Sequence, residues 1–366
     1  MTKQLKILYI SPQHVSGTMD LWQAEHRRRG NECRYVTLFP SAYGFKEDIS
    51  LNLPLHPDKG FIVKTRRLHN KLRFGTLGDD TPLLEKPPFR PPYSPVEKIF
   101  FAWRDSLISA RVEEAIKKYN LDSFDIIHFD QGQGFFRDGR VVRRWHNDGK
   151  KLVAFYHGSD MRNRGIFRNI DELIQLRLTS EVDLMYLDDR LEYLFLPFDT
   201  SMFTPIKKKN GGKLKIVHAA RVRSFKGTDK IVEVVRKLEK RYPVELVLIE
   251  NVPHDEAMRL KTQCDIAIDQ IADTGGWGYG MSSVEYLSMG IPTCTSMVPE
   301  MEEFLPDHPF ISVTEDTLES KLIELIESED FRRGKSEYSR DWVVKYHDVK
   351  AAGDKLYNYY EREEWV

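Results

Sequence analysis

Cysteine is scarce. Cys33, Cys264 and Cys294 are the only three among 366 residues, far apart and without Cys-x-x-Cys spacing. That excludes a disulfide framework and a zinc site, and fits a reducing cytoplasm. An excess of one charge is lacking too: 55 Lys and Arg stand against 56 Asp and Glu, a net charge of −1. The chain therefore has no global field for nucleic acid, and any attraction to anions must come from local patches. Long apolar runs are also missing. The first, over 6–10, is too short for a signal segment and none approaches a membrane-spanning length, so a soluble or at most peripheral cytoplasmic protein is expected. Gly-x-Gly-x-x-Gly is absent as well: Ser16-Gly17 stands after the first apolar run, which removes a dinucleotide-dependent oxidoreductase.

At 366 residues the chain exceeds what one core serves, and two domains are expected. Short apolar runs at 6–10, 33–38, 125–128 and 152–156 read as buried parallel strands, and 182–187 as another. Gly17 opens a helix from Met19 to Arg29, completing a βαβ unit. From 42 to 95 the rhythm breaks into an irregular insertion with Pro82, Pro87, Pro88, Pro91, Pro92 and Pro95. Inside it Lys59, Lys64, Arg66, Arg67, Lys71 and Arg73 run without an acid. That run fits a solvated face over its own apolar cluster, an anionic acceptor, or a membrane surface. Residues 95–119 read as a helix whose stripe, Ile99, Phe100, Trp103, Leu107, Ala110, Val112 and Ile116, is expected in the core. The loop His157-Gly158-Ser159-Asp160 continues through Arg162 and Arg164, at a strand's carboxyl end where α/β chemistry happens.

The polar turn 207–212 marks the boundary, after which the pattern restarts with strands at 214–220, 244–249, 264–268 and 292–295. The first is followed by Arg221 and Lys226-Gly227. Between the last two lies the stretch 273–292, a glycine-rich loop carrying Trp277, Gly278, Tyr279 and Gly280 into a helix that begins near Met281 and contains Glu285. Glycines that let backbone approach a ligand, and free amides at a helix start, make an anion site. Glu285, a turn further on, is placed to accept hydroxyl hydrogen bonds from the same ligand. A sugar nucleotide has both features.

With these residues in view, the chain resembles a family-4 glycosyltransferase of GT-B fold. Trp277-Gly278-Tyr279-Gly280 through Glu285 is similar to that family's Glu-Gly-Phe-Gly, four residues, Glu pattern, with Trp277 in place of the first Glu. Arg221 to Gly227 resembles its Gly-Arg loop ending in Lys-Gly, Pro197-Phe198-Asp199 its interdomain signature, and His157-Gly158 its first-domain loop. The resemblance implies an α/β chain of two Rossmann-like βαβ domains facing each other across a cleft. The acceptor domain would span 1–197, the donor domain 198–341, and a C-terminal helix, 342–366, would return to the first domain.

It further implies retaining transfer of a sugar from a nucleotide-sugar donor to an acceptor hydroxyl on a glycan, lipid or small molecule. Arg221 and Lys226 would hold the diphosphate, with the Gly280 and Met281 amides, Glu285 the ribose, and Gly17 would lie against the phosphates. His157 would contact the donor sugar. No Asp-x-Asp occurs, so a metal-held diphosphate is not expected, and no cofactor beyond the nucleotide-sugar co-substrate is. Asp160, Arg162, Arg164, Arg66 and Arg67 are the expected acceptor residues, with peripheral contact at the membrane's inner face left open. Trp277, which cannot accept from sugar hydroxyls, implies a donor with an apolar edge. The alternative is a non-catalytic GT-B protein that binds a nucleotide or glycan as partner to an active transferase.

Overall fold

The computed structural model describes residues 4–42, 44–57, 59–75, 86–203, 212–272 and 276–366. Residues 207–211 of the expected boundary turn and 273–275 at the head of the glycine loop lie outside them. Two compact units form: Met1–Leu194 with Lys355–Val366, and Phe195–Asp354.

The first unit is built on β1 (Lys6–Ser11), β2 (Glu32–Thr37), β3 (Ile49–Ser50), β4 (Ile126–Asp130), β5 (Lys151–Tyr156), β6 (Leu176–Thr179) and β7 (Leu191–Tyr193). They make one parallel sheet in the order β3-β2-β1-β4-β5-β6-β7. The continuous apolar runs of β1, β4 and β5 are buried because helices pack on both faces of such a sheet. The helices of this unit's chain up to residue 194 are α1 (Thr18–Arg28), α2 (Gly60–Phe74), α3 (Pro95–Lys118), α4 (Arg140–Asn147), and the one-turn α5 (Arg168–Asp171) and α6 (Val182–Met185). α3 starts where the sequence stops it fraying. Ser94 accepts from the Glu97 amide, Glu97 answers to the Ser94 amide, and Pro95 takes the first helical position.

Three expectations change here. The stretch 42–95 contains a four-turn helix, α2, because its basic residues are good helix formers and Gly75, at φ 71°, closes it. Residues 182–187 hold the helix α6 instead of a strand, and the sheet continues through β6 and β7, too short and too charged to stand out. The α3 stripe is core only in its second half. Val112 and Ile116 are buried, joined by Ile108 from outside the stripe, whereas Ile99, Phe100, Trp103, Leu107 and Ala110 are exposed.

The second unit repeats the architecture with β8 (Leu214–Ala219), β9 (Val244–Ile249), β10 (Ile266–Ile268), β11 (Thr293–Thr295) and β12 (Ile311–Ser312), parallel in the order β12-β11-β10-β8-β9. Its helices are α7 (Arg223–Lys226), α8 (Thr228–Leu238), α9 (His254–Lys261), α10 (Met281–Ser288), α11 (Pro299–Phe304), α12 (Leu318–Glu327) and α13 (Glu329–His347). The core lies between α8, α12 and the sheet, on Ile231, Val235, Leu238, Ile266 and Leu322.

The final stretch is two helices. The chain breaks at Asp348, where Phe198 takes the His347 carbonyl at 2.7 Å and its own carbonyl accepts from Val349 at 2.9 Å. α14 (Val349–Arg362) follows, and from Lys355 on it belongs to the first unit. There Tyr357 bonds His26 at 2.9 Å and Asn31 at 2.6 Å, and the Tyr360 hydroxyl bonds His128. Burial lowers the pKa of both histidines, that of His26 to about 3, so they serve these bonds uncharged.

Candidate functional site

In the second unit β8 and β10 are hydrogen-bonded neighbours, and the chain leaving each carries one half of an ion pair. Lys226 ends α7, one turn after β8, and its ammonium meets the carboxylate of Asp269, the residue that follows β10. Asp269 is 1% exposed and also accepts from Ser283 Oγ at 2.6 Å and the Gly280 amide at 3.4 Å. Burial alone would raise its pKa, but Lys226, Ser283 and that amide outweigh burial and lower it. The aspartate is therefore held as an anion beside the Lys226 ammonium. Gly227 lets the two loops close up: at φ 68°, a Cβ there would stand 2.5 Å from Ile271.

The glycines of the loop divide by role. Gly278 is buried at φ 77°, and a Cβ would meet Met301 at 2.6 Å, so packing and backbone both demand glycine. Gly280 has an extended backbone, and among the described residues nothing lies within 4 Å of where its Cβ would be. It leads into the start of α10, where the first-turn amides of Met281 and Ser282 have no helical carbonyl behind them. Arg221, directly after β8, is exposed, and Trp277 is half-buried.

Two residues are engaged differently from the expectation. Tyr279 gives its hydroxyl to His347 Nε2 at 2.9 Å and its ring to Phe310 and Trp342, so its side chain anchors α13. Glu285 is buried on α10 and ion-paired with the equally buried Lys261, the last residue of α9. A ribose contact must share that carboxylate.

In the first unit the arrangement recurs. Asp130 ends β4 and His157 follows the adjacent β5, with Nε2 2.8 Å from Asp130 Oδ1. Ser11, at the end of β1, donates to Asp130 Oδ2 at 2.6 Å. His157 is about a third exposed at its side chain. Its partial burial works against a charge, but the Asp130 bond, aided by Asp160 and Glu181, raises its pKa to about 9. The ring is an imidazolium at neutral pH. Asp160 caps its own loop, accepting from the His157 amide at 2.7 Å, with its pKa raised by burial.

Arg162 and Arg164 are fasteners of this loop. Arg162 is ion-paired with both Glu181 and Asp183, and its guanidinium lies over Gly158, 1.8 Å from where a Cβ would stand, so a side chain there would push it off both carboxylates. Arg164 donates to the Gln131 carbonyl at 2.6 Å and lies over the Phe167 ring. Gly17, at φ 74°, turns the chain into α1, with the Phe45 ring 3.3 Å from its missing Cβ. Arg66, half-buried, and Arg67, exposed, stand on α2. A cavity of about 600 Å³ lined by Arg29, Asn31, Lys150, Tyr357 and Trp365 lies at the amino ends of β1, β4 and β5, the opposite end from His157.

Sequence reasoning missed Asp130, Asp269, Ser283 and Lys261 as site residues. The first two were findable in principle: each is a carboxylate at the tip of a central strand, where open α/β sheets place their chemistry.

No family model matches the chain, and no curated protein does. Solved structures do. HepE from Anabaena, seen with UDP and with UDP-glucose, aligns at TM-scores of 0.58 and 0.56 with 11% and 10% identity, covering 98% of this chain and 100% of HepE. Sucrose-phosphate synthase from Thermosynechococcus elongatus aligns at 0.61 with 11% identity over 98% of both chains. The glycosyltransferase SnogD from Streptomyces nogalater aligns at 0.53 with 13% identity over 97% of this chain and all of SnogD. The chain shares the GT-B fold of these glycosyltransferases.

Proposed function

We propose that this protein is a glycosyltransferase that moves a sugar from a nucleotide-sugar donor to an acceptor hydroxyl, with retention and without a metal. The observation that carries the reading is the Lys226–Asp269 pair beside Gly280 and the first turn of α10. Lys226 keeps N–H groups beyond the one Asp269 takes, Arg221 adds a second cation, and the Met281 and Ser282 amides add dipoles. Together they suit a diphosphate that gains charge as it leaves. The anomeric carbon–oxygen bond breaks with its electron pair going to the diphosphate. The acceptor oxygen bonds to the same face of that carbon, and the acceptor proton passes to the departing phosphate oxygen, so no protein nucleophile is needed.

HepE's complexes with UDP and UDP-glucose make uridine diphosphate the first nucleotide to try. The acceptor role stays with the first unit. His157 offers a charged N–H to a hydroxyl or phosphate, Arg66 and Arg67 offer cations, and Asp160, Arg162 and Arg164 hold the loop's shape. Three buried free thiols fit a reducing compartment.

The second reading, a nucleotide-binding partner without turnover, is favoured by the Glu285–Lys261 pair, which engages the carboxylate expected at the ribose. Calorimetric titration with nucleoside diphosphates, followed by donor-consumption assays on a panel of sugar nucleotides, separates the two. Binding with donor consumption supports the transferase, binding without it the partner. Absence of binding to every nucleoside diphosphate overturns both.

A further inference from the structure

α2 and the first half of α3 are built inside out. On α2, Phe61, Leu68 and Leu72 fall one above another at seven- and four-residue spacing, and all three point to solvent, Leu72 at 80% exposure. The opposite face, turned into the protein, carries buried Asn70 beside half-buried Ile62 and Val63, with Arg73 paired to Glu97 and His69 bonded to Ser94. α3 continues the inversion. Val96, Ile99, Phe100, Trp103 and Leu107 share one face and are exposed, Ile99 at 72%, while Glu97, Arg104 and Asp105 are buried. A helix on the surface of a globular protein ordinarily does the reverse. Two helices joined through Arg73 and Glu97 that both do so present apolar stripes that call for an occupant.

We propose that this face docks on a membrane surface rich in anionic lipid, with the apolar stripes inserted to headgroup depth. Charge selects that occupant. Lys59, Lys64 and Lys71 are exposed on or beside α2, Lys98 is exposed on α3, and no acidic residue occurs from 59 to 75. Leu and aromatic side chains on one face with lysines alongside are the composition of an interfacial helix, and Trp103 is suited to the headgroup boundary. No described helix is long and apolar enough to cross a membrane, so the contact is peripheral. The helix pair is also wired to the candidate acceptor loop. Arg73 and Arg90 both pair with Glu97, and Arg90 reaches the Arg164 carbonyl at 3.3 Å. Membrane docking stands without the transferase reading.

The test is co-sedimentation of the full chain with mixed phosphatidylcholine–phosphatidylglycerol vesicles and with pure phosphatidylcholine vesicles. Binding to the mixed vesicles, weakened by salt and nearly absent on the neutral ones, is expected. Lys64→Glu with Lys71→Glu should lower the partition coefficient roughly thirtyfold or more, the effect of two basic residues near an anionic surface. Leu68→Ser with Leu72→Ser should lower it at least about tenfold. All four positions are exposed, so circular dichroism should be unchanged. The fluorescence lost on replacing Trp103 by Phe should be the part quenched by brominated lipid. No binding to anionic vesicles, binding indifferent to these variants, or an unquenched Trp103 overturns the proposal. A dimer without vesicles that Leu72→Glu dissociates would assign the face to a second copy and overturn it equally.

Discussion

The two units carry the same device with different chemistry. Each puts a cation on the chain leaving one central strand and a carboxylate at the tip of its hydrogen-bonded neighbour: His157 with Asp130 across β5 and β4, Lys226 with Asp269 across β8 and β10. They differ in depth and permanence. Asp269 is almost fully buried and takes donors from Ser283 and Gly280 besides Lys226, whereas Asp130 keeps some contact with solvent and takes His157 and Ser11. Asp269 is held as an anion, its pKa lowered, while His157, raised to about 9, gives up its proton within reach of mild alkali. One topology thus yields a deeply buried carboxylate pair in the second unit and a pair with a pH-switchable partner in the first.

The comparison breaks most visibly at the carboxylates. Asp269→Ala strips a buried pair of one partner and leaves Ser283 unsatisfied, which should cost about 3–5 kcal/mol in urea unfolding. Asp130→Ala removes a half-solvated pair and should cost about 1–2 kcal/mol. Equal losses would mean that depth does not separate the pairs.

Next come the cations. Lys226→Ala and Arg221→Ala should each lower turnover roughly a hundredfold if they stabilise the leaving diphosphate. Full activity in a folded Lys226→Ala variant would remove that role.

Alkali should then divide the units. His157 has a folded pKa above its ordinary 6.5, so the stability it confers is complete below pH 6.5 and is lost as pH rises through about 9. The loss should be on the order of 1–2 kcal/mol, discounted because the ring is partly solvated. It should vanish in His157→Asn, measured by denaturant midpoints between pH 6.5 and 9.5. Acid should act on both units alike. His26 and His128 in the first, His218 and His347 in the second, are held neutral by burial, and the stability that confers is present above pH 6.5 and fades as pH falls below it. An alkaline limb that survives His157→Asn contradicts the assignment.

The smallest effect is expected at Trp277. Trp277→Ala should shift the ratio of rates between a deoxygenated or acylated donor and a plain hexose donor by no more than roughly tenfold, leaving nucleotide affinity unchanged. Wild-type preference for a plain hexose, untouched by the substitution, would show that the indole only fills space.

How much of this was legible along the chain depended on how far apart the interacting residues lie. β1, β4, β5, β8 and β9 announce themselves because a strand covered on both faces must be apolar at nearly every position. β6 and β7 do not, since Leu-Arg-Leu-Thr and Leu-Glu-Tyr are short and interrupted by charge. The same sequence VDLM, apolar enough for a strand, coils into α6.

Local chemistry, then, is what the amino-acid sequence determined by itself: two parallel α/β cores, the glycine that turns the chain at each loop, and the placing of His157, Arg221 and Lys226 after strand ends. These follow from residue type and near neighbours alone. Tertiary structure alone decided the counter-ions and the sides. Asp269 lies 43 residues from Lys226 and Asp130 lies 27 from His157, partners only because parallel pairing sets their strands side by side. It also decided which face of α2 and α3 turns outward. Periodicity shows that a helix has an apolar face, but the protein's interior can be satisfied by the other one when Glu97 pairs with both Arg73 and Arg90 there.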